Sequence, residues 1–74
     1  MIKLVELTPM EKKFVDEYTS ILSATQAAIR AGYTTDIDTA RKIGTENLTK
    51  PNIQQAIKEA AREKRKKNAL YEIN

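Results

Sequence analysis

The sequence predicts an all-α protein, a compact orthogonal bundle of about four helices that contains a helix-turn-helix. Apolar residues recur at intervals of three and four along most of the 74-residue chain, which is the period of amphipathic helices. Pro9 and Pro51 are residues that start helices, and Gly32 is a residue that ends one. From these signals we expect helices at about 8–20, 23–31, 36–48 and 51–67.

The start of the first helix carries the strongest local signal. Thr8 is a good N-cap, Pro9 suits the first helical position, and Glu11 can complete a capping box. Phe14 and Tyr18 follow at helical spacing. We interpret them as core residues and not as a platform for unpaired bases, because aromatic side chains at this spacing are mostly buried.

Residues 23–48 have the pattern of a helix-turn-helix. In its first helix, Ser23 and Gln26 fit a capping box, and Gly32 suits a left-handed residue that stops the helix. One face consists of alanines at i, i+3, i+4 and i+7, which lets another helix approach closely. These alanines are Ala24, Ala27, Ala28 and Ala31.

The second helix of the pair begins at Asp36 or Asp38, either of which can cap it. The residues expected to face inward are Ala40, Ile43, Gly44, Asn47 and Leu48. A glycine inside a helix costs about 1 kcal/mol relative to alanine, so Gly44 indicates close packing against a neighbouring helix.

The outward residues of this second helix are short, polar and rich in hydrogen-bond donors, which suits the base edges and phosphates of DNA. They are Asp38, Arg41, Lys42 and Thr45, with Thr39 and Glu46 on the flanks. The alternative is a solvated face on which Asp38 pairs with Lys42 at i, i+4.

The fourth helix is expected to begin at Pro51, and Asn52 with Gln55 offers a further cap. Its apolar stripe consists of Ile53, Ala56, Ile57, Ala60 and Ala61. Residues 1–61 carry equal numbers of basic and acidic side chains, so the net charge of +3 comes entirely from residues 62–74. We therefore divide the chain into a helix-turn-helix DNA-binding domain, residues 1–61, and a basic helical extension or frayed tail, residues 62–74.

Composition narrows the classes of function. The chain has neither cysteine nor histidine, which excludes most zinc sites and most nucleophile–base pairs of enzymes. We therefore expect neither an enzyme nor a bound cofactor. No apolar run is long enough to span a membrane and the N-terminus lacks the pattern of a signal peptide, so we expect no membrane association and a cytoplasmic location.

Three groups of residues then occur in a distinctive order. They are Leu7-Thr8-Pro9 with Phe14-Val15 and Tyr18; Ala24-Thr25-Gln26-Ala27-Ala28 leading to Ala31-Gly32-Tyr33; and Thr39-Ala40-Arg41 through Gly44, Asn47-Leu48 and Lys50-Pro51 to Ile53. In this combination, from Leu7 to about Glu59, the chain resembles the N-terminal domain of bacteriophage small terminase subunits.

The resemblance implies a non-enzymatic subunit that binds double-stranded DNA. Such a subunit recognises the packaging-initiation site on the viral genome and presents it to a large ATPase–nuclease subunit. Family members assemble into rings through a helical region after this domain, so a homo-oligomer is expected of a longer parent protein. The turn before Asp36 is longer than is usual in the family, because Thr34 and Thr35 precede it.

We expect Arg41, Lys42 and Thr45, flanked by Thr39, to enter or edge the major groove of DNA. Contacts that hold phosphates are expected from Thr25, Gln26, Arg30, Thr34 and Thr35. Lys50 and the basic run 62–67 would add sequence-independent attraction. Two alternatives are a helix-turn-helix transcriptional repressor and a helical adaptor that binds protein through an amphipathic surface of the fourth helix, at Ile53–Ala61 or at Leu70–Ile73.

Overall fold

A computed structural model describes residues 6–73 of the chain, with the side chains of residues 6–63. Over this range the regular elements are α1 (Pro9–Ile21), α2 (Ala24–Ala31), α3 (Ile37–Asn47) and α4 (Pro51–Ile73). The all-α fold class is confirmed, and the expected ends of the first three helices are within one residue of the observed ones. The fourth helix starts where expected and continues beyond residue 67 to Ile73.

Capping chemistry determines where α1 begins. The Thr8 hydroxyl accepts a hydrogen bond from the Glu11 backbone N–H at 3.1 Å, and the Glu11 carboxylate accepts one from the Thr8 backbone N–H at 3.0 Å. These two bonds satisfy amide donors that the start of a helix leaves without partners. Pro9, at the first helical position, has no N–H to satisfy. The predicted capping box is therefore confirmed.

α1 ends at a residue that no sequence signal marks. Leu22 adopts a left-handed conformation, with φ of 57°, and donates its N–H to the Tyr18 carbonyl. The conformation costs a non-glycine residue about 1–2 kcal/mol. The Leu22 side chain is also 73% exposed, so its own burial does not offset this cost. The left-handed residue belongs to the two-residue connection, Leu22 and Ser23, that joins α1 to α2.

The ends of α2 follow the expected chemistry in part. The Ser23 hydroxyl accepts a hydrogen bond from the Gln26 backbone N–H at 3.2 Å, while the reciprocal bond of a full capping box is not among the hydrogen bonds of the described residues. Gly32 has φ of 98° and donates its N–H to the Ile29 carbonyl at 3.1 Å. It is the left-handed stop that was predicted.

The core forms where α1 packs against α2 and α4, and α2 packs against α3. Phe14 of α1 and Ile53 of α4 are its largest fully buried apolar side chains. Tyr18 stacks on Phe14 with ring centroids 6.1 Å apart, and Tyr33 meets Phe14 edge-on at 6.3 Å. The interpretation of Phe14 and Tyr18 as core residues is confirmed, with Tyr18 only partly buried.

The alanine face of α2 lies directly against α3. Ala27, Ala28 and Ala31 are buried, as are Ala40, Gly44 and Asn47 of α3. A Cβ atom added to Gly44 would lie 2.6 Å from the Ala24 carbonyl oxygen, a distance that real Cβ atoms do not reach. The two helices therefore meet backbone to backbone, which confirms the close packing that Gly44 predicts.

The beginning of α4 is tied to the beginning of α1. Asn52 lies inside α4, where its side-chain nitrogen donates to the Glu6 carbonyl at 3.2 Å and to the Glu11 carboxylate at 3.5 Å. The Asn52 side-chain oxygen accepts a hydrogen bond from the Ile53 backbone N–H at 2.9 Å, which satisfies a donor of the first turn. The expected capping by Asn52 is thus observed in part, from the position after Pro51, while a reciprocal bond from Gln55 is not among the hydrogen bonds of the described residues.

The apolar stripe of α4 is used within the bundle over its first two turns. Ile53 is fully buried, and Ala56 and Ile57 pack partly buried against the core. Ala60 is half-buried, whereas Ala61 is exposed. The stripe therefore packs against the core at its start and reaches the surface at Ala61.

Gly44→Ala is expected to destabilise the bundle although alanine is the better helix former. The added methyl group would overlap backbone atoms of Ala24, which cannot rotate away, so the free energy of unfolding should fall by about 1–3 kcal/mol. Urea denaturation followed by circular dichroism measures this change. Thr45→Ala, at the next residue on the exposed side, is the matched control and should leave stability within about 0.5 kcal/mol. Equal stability of Gly44→Ala and the parent chain would contradict the close contact.

Candidate nucleic-acid interface

The N-terminal end of α3 is set by Asp36. Its carboxylate accepts hydrogen bonds from the backbone N–H and the hydroxyl of Thr39, both at 2.8 Å. Of the two predicted caps, Asp36 and Asp38, the structure uses Asp36. The bond from the Thr39 backbone N–H holds the pKa of Asp36 below its ordinary value, since it stabilises the ionised form.

The predicted outward face of α3 is exposed. Asp38, Arg41, Lys42 and Thr45 all lie at the surface. In the alternative of a solvated face, Asp38 would pair with Lys42 at i, i+4. The structure has an i, i+3 pair instead, in which a guanidinium nitrogen of Arg41 lies 3.5 Å from the Asp38 carboxylate. Exposed pairs of this kind contribute little to stability. Both partners can therefore exchange this contact for one with a ligand.

An open groove of about 690 Å³ runs along this side of α3. It is lined by Thr39, Arg41, Lys42, Ile43, Thr45, Glu46 and Thr49. Four of the ten predicted contact residues, Thr39, Arg41, Lys42 and Thr45, are thus brought together on one surface. We call these four the α3 face.

The surroundings of the α3 face are not basic. Three carboxylates (Asp36, Asp38 and Glu46) accompany two cations (Arg41 and Lys42) on α3 and its cap, a local balance of −1. Long-range attraction to phosphates is therefore weak here. Contacts from this surface to a nucleic acid would have to come from short-range hydrogen bonds and shape.

The three predicted phosphate contacts on α2 differ in their surroundings. Gln26 is exposed and Thr25 is half-buried. Arg30 is exposed, and its guanidinium lies 3.7 Å from the Glu17 carboxylate of α1. Since a surface pair of this length is weak, a phosphate could take the place of Glu17.

The two threonines of the turn also differ. The half-buried Thr34 accepts a hydrogen bond from the Asp36 backbone N–H at 3.1 Å, so its hydroxyl helps to shape the turn that leads into α3. Thr35 is exposed. Of the two, Thr35 has the side chain that is more accessible to a ligand.

Lys50 forms an ion pair with a residue of α1. Its ammonium lies 3.4 Å from the Glu11 carboxylate, and the Lys50 side chain is 44% exposed while that of Glu11 is only 14% exposed. Glu11 has a pKa below its ordinary value because it accepts the Thr8 backbone hydrogen bond, with Lys50 acting in the same direction. Lys50 therefore joins the starts of α1 and α4, in addition to whatever it contributes outside the bundle.

One exposed apolar residue lies beside the α3 face and was not among the expected contacts. Ile37 is the first residue of α3 and is 60% exposed. By helical period it lies at the edge of the inward stripe, three residues before Ala40 and seven before Gly44, and yet it is exposed. The sequence signal for this residue was an isoleucine at the start of a helix, between the polar residues Asp36 and Asp38.

Two classes of feature are missing from the part of the chain that the structure describes. No group of acidic side chains there is arranged to hold a metal ion. None of the helices in the described range has the length and apolar character needed to cross a membrane.

Comparisons with known proteins point to one family. Residues 7–73 match the family described as "Terminase small subunit". The chain is 39% identical over 70 residues to terminase small subunits of Bacillus phage SF6 and Bacillus phage rho15, which covers 93% of this chain and 47% of each relative. It is also 39% identical over 64 residues to that of Bacillus phage SPP1, covering 85% and 42%. The chain thus spans less than half the length of these relatives. No solved structure matches it.

Glu11→Gln is expected to lower the free energy of unfolding by about 1 kcal/mol near neutral pH, because the Thr8 backbone N–H loses a charged acceptor and the ion pair with Lys50 is lost. The folded-state pKa of Glu11 lies below its ordinary value of 4.5. Its contribution is therefore present above that pH and is lost as the pH falls through the lower folded-state value. The stability difference between the parent chain and the variant should accordingly shrink in acid.

Chemical denaturation over a series of pH values measures this difference. Asp16→Asn is the control, since Asp16 forms an exposed pair with Lys12 at 3.7 Å and should matter little. A difference between Glu11→Gln and the parent chain that stays constant, or grows, below the ordinary pKa of glutamate would be the contrary result.

Proposed function

The chain belongs to the terminase small subunit family, and we propose that it binds double-stranded DNA through α3 during viral genome packaging. In this proposal it recognises the packaging-initiation site and presents it to the large ATPase–nuclease subunit. It carries out no catalysis itself and needs no cofactor. Because packaging takes place inside the infected cell, the host cytoplasm is its location.

The observation that carries the proposal is the exposure of the α3 face on a rigidly held helix. Gly44 and Ala40 are pressed against α2, which leaves the opposite side of α3 free over its length. That side presents Arg41, a suitable partner for guanine, together with Lys42 and Thr45, which can bond to phosphates or base edges. A helix diameter of about 10–12 Å matches the width of the major groove.

In this arrangement α2 and the turn hold the DNA backbone. Gln26, Arg30 and Thr35 are exposed and can donate to phosphates, with Thr25 and Thr34 partly accessible beside them. Such contacts fix the orientation of the protein without reading sequence. Lys50 and the basic residues 62–67 would add attraction that does not depend on sequence. In this proposal residues 1–61 form the DNA-binding domain, and residues 62–74 form a basic helical extension or frayed tail.

The charge balance limits how tightly one copy can bind. A module that neutralises only a few phosphates has weak affinity at physiological salt, with a dissociation constant of about 10⁻⁴–10⁻⁶ M. Several linked copies raise the affinity through effective concentration. Assembly into a homo-oligomer, through parts of a longer protein, would therefore supply the affinity that this chain lacks.

One alternative function has an observation against it. A helical adaptor would dock a partner on the apolar stripe of α4, but Ile53 is fully buried and Ala56 and Ile57 are partly covered by the core. This part of the stripe is thus used for folding, while the side chains of Leu70–Ile73, the other surface considered for an adaptor, lie outside the described residues. A transcriptional repressor would use the α3 face in the same way and is separated from a packaging protein by its target DNA and not by its fold.

DNA binding can be tested by fluorescence anisotropy with a labelled duplex of about three helical turns. We expect binding that weakens as salt rises. Arg41→Ala should weaken it about tenfold or more, the effect of losing a base contact, and Lys42→Ala should reduce the slope of log affinity against log salt by about 1.

Lys13→Ala is the matched control for these variants. It removes the same charge from an exposed position on α1, which packs against α2 and α4, and should leave binding unchanged. Binding that is absent, or that responds neither to salt nor to the two α3 substitutions, would show that α3 is not the DNA-binding helix.

A further inference from the structure

Ile37 is a large apolar residue at the surface whose position is not explained by the packing of the bundle. It is 60% exposed, and it is not among the residues that form the core or pack against it, whereas Ile43 and Leu48 of the same helix are. A single exposed apolar side chain is common in proteins. What matters here is its place at the first position of α3, beside the α3 face.

Ile37 shares a side of α3 with Arg41. The two residues are four apart, so their side chains are neighbours along one strip of the helix surface. A surface that lies against the first turn of α3 beside Arg41 can therefore also contact Ile37. In a helix-turn-helix, it is the N-terminal part of the second helix that meets base edges.

The charges around Ile37 favour base edges over phosphates. Asp36 precedes it and Asp38 follows it, and both carboxylates are exposed. Asp36 also accepts the Thr39 backbone N–H, so the cap already occupies that donor of the helix start. A phosphate would meet two negative charges at this turn. In the major groove, a carboxylate can instead accept a hydrogen bond from the amino group of adenine or cytosine.

In the major groove, the C5-methyl group of thymine is the apolar feature that an apolar side chain can recognise. We propose that Ile37 packs against a thymine methyl group and so contributes sequence specificity, an inference that rests on the proposed DNA binding through α3. The contact removes apolar surface of both partners from water. Cytosine and uracil lack the methyl group and would leave the side chain without a matching surface.

The test begins with selection of duplexes from a random library by the full chain. Each thymine of the enriched sequence is then replaced in turn by deoxyuridine, which removes only the methyl group. At one or more positions the affinity of the parent chain should fall about fourfold, the factor that corresponds to about 0.8 kcal/mol for one buried carbon. This measurement needs no protein variant.

Ile37→Ser and Ile37→Val complete the experiment. The serine variant should bind the enriched duplex less tightly than the parent chain and should not distinguish thymine from uracil at the same position. The valine variant keeps a branched apolar side chain and should retain most of the discrimination. Met10→Ser, at an exposed apolar residue of α1, is the control and should distinguish thymine from uracil as well as the parent chain does.

The possible failures are distinguishable. If the chain enriches and binds duplexes but no thymine-to-uracil exchange changes its affinity, or if Ile37→Ser remains sensitive to that exchange, the role of Ile37 is refuted while DNA binding stands. If no duplex is enriched or bound, the proposed function is refuted, and the role of Ile37 with it.

Discussion

The contact between Gly44 and the backbone of Ala24 determines which side of α3 is available to a ligand. Because no side chain fits between the two helices there, α3 cannot roll without driving a Cβ atom into α2. With Gly44 and Ala40 held inward, the period of 3.6 residues per turn places Arg41, Lys42 and Thr45 outward. A small-residue contact inside the protein thus decides the chemistry of its surface.

The helices could be predicted from the sequence because most of their ends are fixed by hydrogen bonds between residues that are close together in the chain. The bonds of Thr8 with Glu11 and of Ser23 with Gln26 span three residues. The residue types at this spacing are enough to predict such bonds. The left-handed Leu22 could not be found this way. Leucine has no preference for that conformation, which occurs here in the short connection between α1 and α2.

The sequence predicts which residues of α3 are exposed, but it does not fully predict which side chains form ion pairs with one another. Helical period alone separates the inward from the outward residues of α3, but it allows Asp38 to pair with either Arg41 or Lys42, and the structure has the former. The pairs of Arg30 with Glu17 and of Lys50 with Glu11 join different helices. Pairs of this kind depend on how helices pack, which spacing along the chain does not reveal.

Glu11 links segments that are far apart in the chain, since its carboxylate meets Thr8 locally and both Lys50 and Asn52 across the bundle. The packing of α1 on α2 and of α2 on α3 joins sequence neighbours, whereas the contact of α4 with α1 must close a long loop. Loop closure carries an entropic cost that near-neighbour contacts avoid. We therefore expect the first three helices to associate early and α4 to dock last, with the overall rate in the microsecond-to-millisecond range of proteins rich in local contacts. The Glu11 carboxylate, which caps α1, would then also stabilise the docking of α4, the final step of folding.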